Sequence, residues 1–289
     1  MTPEPAPSPD LKDTIEIFGA SKIQHGQLNR RIYLMKLDYE DANQIVPALD
    51  GLAFEHGYTK IFAKVPRFAK ETFGNNGYEV EAHIPEFYEA TEDVYMMCRY
   101  LDPARADEGE AAEKYEEVLK ASKDRQGEGG ESFPDDVEVR LCKPEDAEPL
   151  AELYAEVFPT YPFPIDQPSY ITQTMETHVR YFGVWRDGKM IAASSSEMDQ
   201  PELNTEMTDF ATLPDQRGEG LATALLGLME EDARQLGLHV GYTIARSPSF
   251  GMNITFARMG YEYAGRLKNN TNISGQFESM NVWYKKLKE

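Results

Sequence analysis

A chain of 289 residues with 41% hydrophobic side chains is long enough for one large or two ordinary domains, and apolar enough to exclude a disordered chain. Its 29 Lys and Arg face 50 Asp and Glu, a formal charge of -21, which argues against nucleic acid or an anionic membrane as the main partner, since both need cationic surface. Two cysteines make no disulfide framework and fit a reducing cytoplasm; five histidines without ligand spacing suggest no metal site; and "MTPEPAPSPD" reads as a disordered tail over 1–12, with neither the basic start nor the apolar stretch of a signal peptide.

Residues 13–101 read as a compact α/β domain. "RRIYLMKL" and "YTKIFAKV" are predicted strands, with "YEDANQIVPALDGLAFEHG" a helix between them, stopped near Gly57. "YEVEAHI" and "EDVYMMCRYL" are two further strands. The charged stretch 102–134 reads as an acidic linker with at most one exposed helix. From 135 a new pattern runs to the end of the chain: strand "VEVRLC", helix "KPEDAEPLAELYAEVF", and a hairpin "YFGVWRDGKMIAASSSEM" turned at Asp187-Gly188. Strand "TEMTDFATL" follows, then a helix from Gly220 to Gly237, strand "HVGYTIA", a short helix closed by Gly260, and a last strand "ESMNVWYKKL". The segment "HGYTKIFAKVPRFAKETFGNNGYEVEA…EDVYMMCRYL" echoes "HVGYTIARSPSFGMNITFARMGYEYAG…ESMNVWYKKL". The first half is therefore read as a degenerate relative of the second.

The chemistry concentrates in "DFATLPDQRGEGLATALLGLMEED", 209–232. A strand enters a glycine-rich turn that opens a helix. Amides at a helix N-terminus lack intrahelical acceptors, and the dipole adds partial positive charge there. Gly218 and Gly220 let that backbone approach a phosphate, Arg217 adds a charged donor, and Glu219, Leu221 and Ala222 complete the turn. The expected ligand is a diphosphate.

These residues resemble the GCN5-related N-acetyltransferase (GNAT) superfamily, whose acetyl-CoA signature is Arg/Gln-x-x-Gly-x-Gly/Ala; Arg217, Gly220 and Ala222 occupy those places. The resemblance implies a mixed, splayed central sheet in the C-terminal domain, acetyl-CoA as co-substrate, and Phe210, Ala211 and Thr212 on the splayed strand that holds its pantetheine arm. "AHIPEFYEATEDVYMMCRYL" and "SFGMNITFARMGYEYAGRLKNNTNISGQFESMNVWYKKL", together with the two-part layout, resemble the beta-lysine N-acetyltransferase family over nearly the whole chain. That resemblance implies acetylation of the ε-amino group of β-lysine, giving the compatible solute Nε-acetyl-β-lysine by direct attack in a ternary complex. A broader small-amine acetyltransferase and a non-catalytic acetyl-CoA sensor are the alternatives.

An amine of pKa ~10.4 must be deprotonated before it attacks a thioester, a cost of ~4.6 kcal/mol at pH 7. Glu206, where related enzymes carry a catalytic glutamate, is the first candidate base and Asp209 the second. Related enzymes place an acidic tyrosine where this chain has Phe256, so Tyr261, Tyr263 or water is left to protonate the thiolate. Asn269, Asn270, Asn272, Ser274, Glu278 and Asn281 form the candidate substrate-binding set. The sequence leaves oligomeric state open, a homodimer included.

Overall fold

A computed structural model describes residues 13–158, 161 and 163–288; the tail assigned to 1–12 lies outside them. The chain opens with three antiparallel strands, β1 (Thr14–Phe18), β2 (Ser21–Gly26) and β3 (Arg31–Lys36), then helix α1 (Ile45–His56) and strand β4 (Lys60–Pro66). Helix α2 (Lys70–Asn75) and the hairpin β5 (Glu79–Tyr88) and β6 (Glu92–Tyr100) complete the first half. Helix α3 (Ala111–Lys123) leads to the second, which begins with β7 (Glu138–Leu141), α4 (Ala147–Val157) and α5 (Pro168–Met175). Strands β8 (Val179–Arg186), β9 (Lys189–Asp199) and β10 (Asn204–Thr212) precede α6 (Leu221–Gln235). Strand β11 (Val240–Arg246), α7 (Phe250–Arg258), β12 (Glu262–Ile273) and β13 (Gln276–Lys286) finish the chain.

Several elements differ from their sequence reading for identifiable reasons. The first helix starts at Ile45 rather than Tyr39 because Pro47 has no N–H and its ring excludes a carbonyl one turn back, so it is tolerated only in a first turn. Residues 39–41 form a separate 3-10 turn capped by the Asp38 carboxylate. Strands β1 and β2 were not expected at all. The linker helix α3 is docked rather than exposed: it buries Tyr115, Val118 and Leu119 and packs against α7. The hairpin turn is as read, with both Asp187 and Gly188 at positive φ.

All thirteen strands form one sheet in the order β1-β2-β3-β4-β6-β5-β12-β13-β11-β10-β9-β8-β7. Within it the two halves have the same plan. In the first, β3 runs parallel to β4, which pairs with β6 and then β5; in the second, β10 runs parallel to β11, which pairs with β13 and then β12. The short helix, α2 or α7, follows the same strand in each. The echo in the sequence is thus an echo in strand order, and the first half lacks the glycine turn.

The halves join where β5 meets β12, at the pair Ala82 and Gly265. Gly265 has φ +148°, and a Cβ there would lie 1.9 Å from the Glu81 carbonyl oxygen and 2.7 Å from the Ala82 Cα. Only glycine permits that approach. A shared core including Phe62, Phe87, Met96, Tyr242, Leu267 and Val282 then spans the seam. The substitution Gly265→Ala is expected to cost about 2–4 kcal/mol through backbone strain and overpacking, read as a lowered urea midpoint; an unchanged midpoint would remove Gly265 from this role.

Candidate active site

Strand β10 positions the site by leaving its neighbour. It pairs with β11 only over Asn204–Val240, Thr205–Gly241 and Glu206–Tyr242. Beyond Glu206 the two strands part, and β10 keeps only its pairing with β9. That pairing carries a bulge between Thr208 and Ala211, with Asp209 at φ +53°. A left-handed aspartate at a bulge is strained, and such strain turns a side chain that regular pleating would send elsewhere.

A cavity of about 910 Å³ lies over the splay, walled by both halves. Glu206 and Asp209 are in its wall. So is Glu197, which β9 sets directly opposite Glu206 across the ladder. Burial is the main cause that raises the pKa of all three carboxyls above the ordinary range. For Glu197 the Glu206 charge adds to the rise; for Glu206, Lys64 and the Tyr242 hydroxyl work against it. Asp209 accepts hydrogen bonds from Ser195 Oγ at 2.6 Å and from the Tyr161 hydroxyl. Glu206 thus faces the cavity with one hydroxyl partner, whereas both oxygens of Asp209 are engaged. Two like-charged carboxyls facing each other in a buried wall cannot both ionise cheaply, so the pair holds a proton in a pH range where a lone carboxylate would not.

The sequence-predicted residues separate clearly. Of the substrate set, Asn270, Ser274 and Glu278 line the cavity, and Glu278 is held by Arg246 at 2.7 Å. Asn269 is spent on the Arg105 and Asp107 carbonyls, Asn272 on the turn amide of Gly275, and Asn281 on a buried network with Ser247 and Asn253. Tyr261 is not brought to the cavity: it is fully buried, edge-on to Phe256, with its hydroxyl beneath Gly241. Phe256 itself and Phe210 reach the cavity wall, ring edge to ring face at 5.6 Å. Tyr263 is on β12 against Trp283, outside that wall. Sequence reasoning missed Glu197, Tyr161 and Tyr242, and every residue from the first half. Only Glu197 carried a signal, the one charged residue in the otherwise uncharged strand run from Met190 to Met198.

The glycine turn is built as expected for an anion. Gly218 (φ +90°) and Gly220 (φ +75°) bring the chain into α6 with no side-chain cap. The first inward bond runs from the Ala224 amide to the Gly220 carbonyl at 3.0 Å, and among the described residues the amides of Gly218 through Thr223 have no acceptor. Arg217 stays exposed beside the Thr212 carbonyl. Ala211 and Leu221 are core residues, so they contribute backbone only, and the Glu219 carboxylate is tied to Arg186 at 2.6 Å. Glu131 from the linker packs its carboxylate where a Cβ on Gly220 would stand, balanced by Arg258 at 2.7 Å.

The model of the acetyltransferase (GNAT) family matches residues 148–261. The beta-lysine N(6)-acetyltransferase of Methanococcus maripaludis is 43% identical over 275 residues, spanning 95% of this chain and 99% of that protein. The chain belongs to the beta-lysine N6-acetyltransferase family. The Methanosarcina mazei protein of the same name is 30% identical, covering 84% of this chain and 97% of that one. The N-acetyltransferase YodP of Bacillus subtilis is 32% identical, covering 92% and 95%. The protein is therefore an acyltransferase, and the acyl donor of its family, acetyl-CoA, fits the chain's own features: a run of unpaired amides at a helix N-terminus for the diphosphate, and an unpaired strand edge beyond Glu206 for the arm. Among the described residues no acidic, histidine and cysteine cluster could hold a metal, and no helix is long and apolar enough to cross a membrane.

Replacing Glu206 by Gln is expected to lower kcat about 100- to 1000-fold with KM for acetyl-CoA nearly unchanged. A carboxyl serving as base works only when ionised, so with Glu206 in that role activity should fall as pH drops through its raised pKa; Glu197→Gln, by removing the facing carboxyl, should move that acid limb to lower pH. A limb that stays in place would dismiss the pairing. Glu131→Gln should lower KM for acetyl-CoA about threefold, because a like charge no longer faces the diphosphate; a raised KM would show that Glu131 serves the turn.

Proposed function

We propose that the protein transfers the acetyl group of acetyl-CoA to the N6 amine of β-lysine, giving Nε-acetyl-β-lysine. The observation that carries this reading is the cavity wall, where three carboxyls, the buried Asp209 and the half-buried Glu197 and Glu206, converge on the point at which β10 and β11 part. A substrate with two ammonium groups satisfies such a wall, since each cation relieves the burial that disfavours the ionised acids.

Acetyl-CoA supplies a thioester carbonyl there, open to attack by a neutral amine. Glu206 takes the proton from the N6 ammonium; the amine then forms the N–C bond as the C–S bond breaks in a ternary complex. The proton returned to the departing thiolate is the one Glu206 received, carried by water, because Phe256 offers no proton and Tyr261 is buried away from the cavity. Asp209, fixed by Ser195 and Tyr161, holds a second positive charge rather than moving protons. An oxyanion on the acyl carbon needs a fixed donor, and the unpaired β10 edge near Ala211 supplies an amide.

The product would be a net-neutral zwitterion made from a net cation. It can accumulate without counter-ions, which supports a role as a compatible solute in the cytoplasm. The purified chain with acetyl-CoA and β-lysine is expected to release one thiol per acetyl group placed on N6, located by mass spectrometry. Initial-velocity lines that intersect would fit direct transfer, and parallel lines would replace it with an acyl-enzyme. Turnover of a polyamine or another amino acid with none of β-lysine would keep the class and discard the substrate.

A further inference from the structure

The first half has no glycine turn and no carboxyl at the place of Glu206, yet it builds much of the cavity wall. The parallel pairs Arg31–Lys60 in one half and Asn204–Val240 in the other put Tyr33 at the position of Glu206, and Phe62 at that of Tyr242. Tyr33 and Phe62 stack at 4.5 Å between rings. They form a flat apolar surface, and cationic or amide donors stand around it.

Those donors are poorly matched. Arg31, only 5% exposed, gives Nη1 to the Asn270 carbonyl at 2.8 Å, while its Nε is buried without an acceptor. Gln24, 2% exposed and opposite Tyr33 on β2, has a buried Nε2 without an acceptor. Lys64 Nζ meets a neutral oxygen, the Tyr242 hydroxyl, at 3.3 Å. The neighbouring lysines are treated differently: Lys36 pairs with Asp199 and Glu202, and Lys60 with Glu81. On this wall, then, Arg31 and Gln24 each keep an open donor. Burying them this way is unfavourable unless something with several lone pairs arrives, and a carboxylate brings about four acceptor sites.

The distances agree. Lys64 touches Tyr242, which hydrogen-bonds Glu206. Lys64 is thus at most about two hydrogen-bond lengths from the candidate base, close to the about 7 Å that six single bonds span between a terminal nitrogen and a carboxyl carbon. Burial also holds the pKa of both Lys64 and Arg31 below normal, a cost that a bound anion would cancel.

Resting on the amino-acid acetyltransferase reading above, we propose that the first half carries the substrate's carboxylate subsite, in which Lys64, Arg31 and Gln24 grip the acid group on the wall that this half supplies. The catalytic half sees only an amine. Selection of an amino acid over a bare diamine is then made by the half that has lost the chemistry.

The test compares two substrates of the full chain at a pH above the acid limb: β-lysine, and 1,4-diaminopentane, which is β-lysine without its carboxyl group. The native protein should prefer β-lysine at least 100-fold in kcat/KM. Arg31→Met should lower kcat/KM for β-lysine about 100-fold and leave that for the diamine within threefold; Gln24→Leu should act in the same direction, more weakly. Retained diamine turnover shows that each variant is folded. If Arg31→Met and Gln24→Leu both keep full activity on β-lysine, or both substrates lose rate together, the subsite is overturned while the function stands. A native protein inactive on β-lysine would instead overturn the function, and the subsite with it.

Discussion

The bare Cα of Gly265 is the constraint on which the architecture turns. Because nothing projects from it, β12 approaches β5 to within contact of the Glu81 carbonyl, and two sheets become one. The shared core across that seam fixes the angle between the halves. A cavity walled from both sides is a consequence of that angle.

Within this frame the halves divide the work according to one local difference. Both have a parallel strand pair followed by a helix, and so both could in principle open a splay. Only the second has glycines at positive φ leading into that helix. In the first half Ala42, Asn43 and Gln44 lead into α1, and none of them is a glycine at positive φ. A helix start without the glycine turn is compatible with an intact sheet, because the glycines add no side chain to the core.

The electrostatics of the cavity follow from its two origins. The second half brings its acids together by strand register, with Glu197 facing Glu206 and Asp209 thrown inward by the bulge. The first half brings cations. A wall of one sign alone would be hard to bury; opposed signs across an empty space leave each partly unsatisfied, and that residual mismatch is available to a zwitterionic ligand. The chain's overall acidity does not determine this, because the charges that matter are a handful of buried groups.

The helices, most strands and the anion turn were legible because each is set by near neighbours: Asp187-Gly188 for a hairpin, Gly218 and Gly220 for an uncapped helix start, apolar spacing for α6. Pro47 also acted locally, though its effect on the start of α1 is clear only once the helix is seen. The asparagine-rich stretch shows where such reasoning stops. Asn269, Asn272 and Asn281 have the same chemistry as Asn270, and only their partners, some more than 160 residues away, decide that they hold the fold together while Asn270 faces the cavity. Sequence alone determined which segment opens a helix with free amides and that an attacking amine needs a base, since both depend on local backbone and intrinsic pKa. Tertiary structure decided which carboxyls face one another, that Tyr261 is core, and that Lys64 and Arg31 share a wall with Glu206, because register across a seam depends on packing that no local pattern encodes.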